Sequence, residues 1–235
     1  MIPARRLAAY LKEQSLPLDK VELQIAALTL GAVLSVDKPA PRTDLFRYPV
    51  PLLSDDGACS LVDELAAEPY DLSPLFGGES AEARGALNDL HALVDSTNSR
   101  VGADWLGIYR AIGSKEQARL VKLAYRGAPS RAEFPLTEGF AAGSNNSRVG
   151  LTGWGVVIDD VTVWRDMGGS YYECDPKVKS EVCLPVLDEE GVVLGIIDAE
   201  SAEAGFFTAE RQVWLAALAL VLASPLAGLP LVEEN

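Results

Sequence analysis

Two apolar segments separated by an acidic turn dictate a β-hairpin in the C-terminal half of the chain. Residues 181–187 read EVCLPVL and residues 192–200 read VVLGIIDAE, with Asp188-Glu189-Glu190-Gly191 between them. Runs of this length, rich in β-branched residues and joined by a short polar turn with glycine, pair as antiparallel strands. Thr208 follows and stands where an N-cap is needed, with Glu210 in the first turn of a helix over residues 209–223.

Upstream, residues 104–110 and 119–125 alternate in the manner of strands and are close enough to form a second hairpin. Residues 132–136 suggest a third strand, and Val156-Val157-Ile158 a short edge strand. Before them, residues 83–96 carry Leu87, Leu90 and Leu93 at helical spacing. The order is helix, strands, an irregular middle, hairpin, helix. It predicts an α+β class, an antiparallel sheet with helices packed on one face.

Residues 1–80 are organised differently and form an N-terminal extension. Segments 3–14 and 19–36 each suit a helix, separated by Pro17, with Asp19 as N-cap of the second. Residues 37–80 are rich in Pro, Gly, Asp and Ser and read as loop with short elements, mostly irregular. The main domain spans 82–224, and 225–235 form a C-terminal tail.

Composition excludes several functions. The net charge of −14, with no Lys/Arg run longer than two, argues against a nucleic-acid partner. Residues 213–232 carry no charge, but Pro225, Gly228 and Pro230 interrupt them. The uninterrupted part, about 12 residues, falls short of the roughly 20 a membrane span needs. A buried helix ending near Ala223 is expected, with no membrane partner, and its apolar face could also serve a homodimer. Three cysteines, Cys59, Cys174 and Cys183, do not make a disulfide framework and suit a reducing cytoplasm. No metal site is expected.

Chemistry concentrates between residues 174 and 200. Asp198 and Glu200 are two apart in a strand and share a side. Glu181, at the start of the partner strand, reaches the same sheet end if the register allows. The three are either solvated strand ends or an anionic cup in which one carboxyl stays protonated as an acid. Cys174 lies in a polar, aromatic loop, Tyr171-Tyr172-Glu173-Cys174-Asp175-Pro176-Lys177, with Asp175 and Pro176 reading as the start of a helical turn. The helix dipole, Lys177 and Lys179 favour its thiolate, while Glu173 and Asp175 oppose it. Cys183 shares a strand face with Glu181, as a small buried hydrophobe or as a second thiol. His91, the only histidine, lies on the first helix of the main domain and suits a structural role.

The segments Tyr172-Glu173-Cys174-Asp175, Ser180-Glu181-Val182-Cys183-Leu184-Pro185 and Gly195-Ile196-Ile197-Asp198-Ala199-Glu200-Ser201 resemble the GAF-type free methionine-R-sulfoxide reductases. That family carries Cys-Asp, then Ser-Glu-Ile-Val-Leu-Pro, then Gly-Val-Leu-Asp-Ile-Asp-Ser. Asp104-Trp105-Leu106-Gly107-Ile108-Tyr109 is similar to its Asn-Trp-Ala-Gly-Phe-Tyr. The resemblance covers residues 82–224. It implies a GAF-like fold, Cys174 as nucleophile on the sulfoxide sulfur, and Glu181 and Asp198 as groups that hold substrate and protonate the departing oxygen. Trp105, Tyr109 and Glu200 would line the substrate pocket, Glu200 replacing a shorter Asp. No bound cofactor is implied, only an external thiol reductant such as thioredoxin. The chain departs from the family in having no cysteine between Cys59 and Cys174, where resolving cysteines are usual. Cys183, Cys59 or an external thiol would then resolve the intermediate. A GAF module that binds a small ligand without turnover is the alternative.

Overall fold

The computed structural model describes residues 2–36, 44–53, 64–114, 117–169, 171–172 and 175–232. Two helices open the chain, α1 (Ala4–Glu13) and α2 (Lys20–Val33), the second capped by the Asp19 carboxylate accepting from the amides of Val21 and Glu22. A two-stranded ribbon, β1 (Arg47–Tyr48) and β2 (Tyr70–Asp71), and a 3-10 turn (Ser73–Phe76) lead to α3 (Ala81–Val101). Ser80 caps α3, and Gly102, with φ of 72°, ends it. The helix therefore runs past residues 83–96 at both ends.

The main sheet has six strands, β3 (Trp105–Ile112), β4 (Arg119–Arg126), β5 (Glu133–Pro135), β6 (Val156–Ile158), β7 (Ser180–Leu187) and β8 (Val193–Ser201). Their order is β5-β4-β3-β8-β7-β6, antiparallel at every pairing. Two local hairpins, β3–β4 and β7–β8, are joined side by side through β3 and β8. This central pairing is between strands remote in sequence, and nothing local fixes it. Burial fixes it, because β3, β7 and β8 are buried on both faces and belong inside the sheet.

One face packs on α3 and on the C-terminal helix α7 (Ala209–Ala227). Leu106, Ile108, Val182, Leu184 and Ile197 from the sheet meet Leu87, Leu90 and Leu93 of α3 and Leu215, Leu218 and Leu222 of α7. Each such side chain contributes about 1.5–3 kcal/mol on burial. The second face is not bare, which corrects the expectation of helices on one face only. A short α4 (Glu138–Ala141), α5 (Asn145–Thr152) and α6 (Val161–Asp166) fold from the stretch read as irregular, and α5 packs on β7 and β8. These helices were missed because they are short and their caps, Thr137, Ser144 and Asp160, define them better than any apolar period.

Two details of α7 also differ from expectation. Thr208 occupies the N-cap position, but its side chain makes no capping bond. The helix also continues through Pro225 to Ala227 instead of stopping near Ala223. The lost N–H falls in the last turn, and Leu226, only 1% exposed, is anchored in the core there. Among the described residues α7 alone is long and apolar enough to cross a membrane, yet more than half of that stretch is buried in the fold. It is the core helix expected, enclosed by α2, α3 and the sheet.

The N-terminal extension shares this core. Leu7, Tyr10 and Leu11 of α1 and Leu23, Ala26 and Leu30 of α2 are buried in it. α1 also closes an open edge. Strand β6 pairs with β7 only as far as Cys183, leaving the backbone beyond it without a neighbouring strand on that side. The Tyr10 hydroxyl donates to the Pro185 carbonyl at 2.8 Å, and Arg6 Nη2 donates to the Leu187 carbonyl at 2.7 Å. Gln14 bridges the Gly153 carbonyl and the Gly155 amide. An uncovered strand edge invites pairing with other chains, and here a helix satisfies it. At the opposite end Tyr48 donates to the Lys122 carbonyl at 2.7 Å. Lys122 itself is fully buried, with Nζ bonded to Ser130 and resting on the Tyr125 and Tyr48 rings.

Candidate functional site

The hairpin register decides where the carboxylates lie. Glu181 stands opposite Glu200, and Cys183 opposite Asp198. On the other side of β8, Trp105 faces Glu200 and Gly107 faces Asp198. Glu181, Cys183, Asp198, Glu200, Trp105 and Tyr109 therefore all project from the same face, the one covered by α5. Glu181 and Asp198 are each 3% exposed, so they are not solvated strand ends. Glu200 is half-buried at the rim.

Gly107 shapes the floor. A Cβ on it would come within 2.1 Å of Trp105 Cη2, so the missing side chain lets the indole fold across the strand. The indole stacks toward Tyr125 and Tyr109, with centroids 6.2 and 6.1 Å away, and its Nε1 donates to the Ala128 carbonyl at 3.1 Å. Phe134, Phe140 and Tyr172 extend this wall as an aromatic cluster. Arg131 lies over these rings, and its Nη1 donates to the Tyr172 hydroxyl at 2.9 Å.

α5 supplies the roof. Its N-terminal turn, after Ser144, presents two amides to two acids. Asn145 Nδ2 donates to Glu181 Oε2 at 2.9 Å, and Asn146 Nδ2 donates to Asp198 Oδ2 at 3.1 Å. Arg148 Nη2 donates to Asn145 Oδ1 at 2.7 Å and fixes the orientation of that amide. Two buried oxygens at this place, Asp198 Oδ1 and Asn146 Oδ1, have no hydrogen-bond partner among the described residues.

The acids cannot both be charged at low cost. Burial, then repulsion from Asp198, raises Glu181 to about 8 despite the Asn145 bond. Burial raises Asp198 to about 7 against the bond from Asn146. The pair titrates as a unit and holds a proton at neutral pH, which makes it an acid poised to donate. Burial, with Asp198 and Glu181 close by, pushes the Cys183 thiol well up, so it stays protonated.

Between these walls lies a cavity of about 30 Å³, lined by the acids, Asn145, Asn146, Arg131, Tyr171 and Tyr172. A recess of about 200 Å³ adjoins it, sharing Trp105, Ser130 and Glu200 and adding Asp104, Asp175 and Lys177. Pro51 of the extension lines the recess as well.

No family model matches the sequence, and no curated protein matches it. Among solved structures, the chain is similar to the type II free methionine-R-sulfoxide reductase from Thermoplasma acidophilum, with 23% identity over 65% of this chain and 99% of that one and a TM-score of 0.53. It is also similar to the free methionine-R-sulfoxide reductase from Neisseria meningitidis in complex with its substrate, at 21% identity over 61% of this chain and 79% of that one, TM-score 0.50. The fold is GAF-like.

The GAF-like domain thus brings together Trp105, Tyr109, Glu181, Cys183, Asp198 and Glu200. Cys174 and Cys59 lie outside the described residues. Asp175 does not open a helix. Its side chain accepts from the Lys177 amide at 2.9 Å in a simple turn. His91 sits on α3, against the other face of the sheet, beside Tyr48 and Tyr125. Asn145, Asn146 and Arg131 escaped the sequence reading. A Ser N-cap followed by two amides was the available signal at 144–146, but only the packing of α5 shows what the amides meet.

Proposed function

We propose that the protein reduces free methionine-R-sulfoxide, or a related small oxidised amino acid, with Cys174 as nucleophile. The observation that carries this reading is the buried Glu181–Asp198 pair, which keeps a proton at neutral pH beside an aromatic wall. A sulfoxide oxygen leaves only if it is protonated, and a neutral carboxyl in a dry site supplies that proton. The residues flanking the Cys174 segment support the assignment, since Tyr171 and Tyr172 line the cup and Asp175 lines the recess.

In this reading the Cys174 thiolate attacks the sulfoxide sulfur. The sulfur–oxygen bond breaks as the carboxyl pair delivers its proton, and the oxygen passes to Cys174 as a sulfenic acid. The sulfoxide gains two electrons and Cys174 loses them. A dithiol of the thioredoxin class then displaces water and returns Cys174 to the thiol. The sulfoxide group occupies the cup, and the amino-acid body extends into the recess toward Glu200, Asp104 and Lys177. The 30 Å³ cup admits about one water-sized group, so the Tyr172 or Asn146 side chain shifts on binding. A cytoplasmic homodimer is the assembly this reading assumes.

A ligand-binding GAF module without turnover is the second reading, favoured by the lack of any cysteine between Cys59 and Cys174. Reduction of free methionine-R-sulfoxide separates the two, assayed for the wild type and Cys174→Ser with a thioredoxin system and separately with dithiothreitol. Turnover that disappears in Cys174→Ser supports the reductase. No turnover with either reductant refutes it.

A further inference from the structure

The cup also carries the donors of a metal site. Ligand atoms from Glu181, Cys183 and Asp198 lie within 4.8 Å of one another, and all three residues are buried. The asparagines occupy one oxygen of each carboxylate, Glu181 Oε2 and Asp198 Oδ2. A second observation points to a ligand at this place. Among the described residues, Asp198 Oδ1 and Asn146 Oδ1 are buried acceptors with no hydrogen-bond partner, on residues 3% and 7% exposed that line the cavity. Buried acceptors left unpartnered cost stability, and both would be satisfied by a cation.

We propose that the Glu181–Cys183–Asp198 cluster binds one borderline-soft divalent cation of the zinc class, with Asn146 Oδ1 or a water as fourth donor. Two carboxylates and one thiol are a compact, sulfur-containing set. That composition suits Zn²⁺ or Co²⁺ and not Mg²⁺ or Ca²⁺, which take six or more oxygens. Zinc bond lengths put sulfur and oxygen ligands about 3.5 Å apart around a tetrahedral ion. The donors would therefore close in by roughly 1 Å from their 4.8 Å limit. The cavity of about 30 Å³ suits a single ion or water. Binding releases the Cys183 proton and the proton held by the acid pair to solvent, and leaves the thiolate and both carboxylates on the metal. Ion and sulfoxide would contend for the same carboxylates, so the metal inhibits the reaction proposed above. The site itself does not depend on that reaction.

The test is Co²⁺ titration of the EDTA-stripped, fully reduced full-length protein, read by absorption. One equivalent is expected to produce a thiolate-to-cobalt charge-transfer band together with tetrahedral d–d bands. Cys183 is the sole thiol in the Cys59→Ser/Cys174→Ser double variant, whose substitutions leave the three proposed ligands unchanged. The band must survive there, and Asp198→Asn must weaken cobalt binding by more than about 100-fold, since even the loss of an outer-shell partner costs 10–100-fold. No charge-transfer band in the wild type, or loss of the band in the double variant, overturns the site. Sulfoxide turnover measured on metal-free protein is a separate readout, so failure of either proposal is visible without the other.

Discussion

The buried acid pair makes stability fall as pH rises. Glu181 and Asp198 titrate near 8 and 7 in the folded chain, while in the unfolded chain they return to ordinary carboxylate values near 4. Between those limits the native state holds protons that the unfolded state has released. The pair's contribution is therefore complete below about pH 4 and lost as pH climbs through the folded values. Each retained proton corresponds to a slope of about 1.4 kcal/mol per pH unit, and with nearly two retained at pH 5.5 and about one at pH 7.5 metal-free protein loses on the order of 4 kcal/mol between them. Urea unfolding followed by tryptophan fluorescence, in EDTA, measures this directly. Glu181→Gln/Asp198→Asn preserves shape and still accepts from Asn145 and Asn146, but carries no titrating group. Its stability should be nearly independent of pH over this window and should exceed the wild type's at pH 8. The single variant Asp198→Asn keeps part of the slope, because burial is the larger cause at Glu181. A wild-type stability that is flat or rising over this range would refute the reasoning. An equal slope in the double variant would refute it as well.

Two further substitutions test the architecture around the site. Tyr10→Phe leaves the Pro185 carbonyl without its donor, and should cost about 1–2 kcal/mol by urea unfolding if α1 closes the β7 edge; an unchanged midpoint would show that the contact contributes nothing. Gly107→Ala forces a methyl to within 2.1 Å of the Trp105 ring and should cost about 1–3 kcal/mol, with an altered near-UV dichroism as the indole leaves the floor of the cup. Wild-type stability together with a wild-type spectrum would mean that Trp105 does not depend on the glycine.

Much of this was written locally. The β7–β8 hairpin follows from two apolar runs and an acidic turn, α2 from Asp19 and α3 from its leucine spacing. The α+β class and the GAF-like resemblance followed from those elements and from the Ser180–Pro185 and Gly195–Ser201 segments. Alternation alone placed Asp198 with Glu200, and Glu181 with Cys183. Whether these four met was a matter of register, and register is set by burying both faces of β7 and β8 at once.

Other features had no local signature. Helices α4, α5 and α6 are too short to show a period, so the second layer over the sheet was not legible. Pro225 read as a stop, yet Leu226 holds the helix beyond it in the core. Sequence could name the carboxylates, but it could not say whether they were solvated. That depended on α5 closing over the strand ends and bringing Asn145 and Asn146 to within hydrogen-bonding distance. A carboxyl's protonation is a property of everything packed around it, which is why the chemistry of this site was decided only by the tertiary structure.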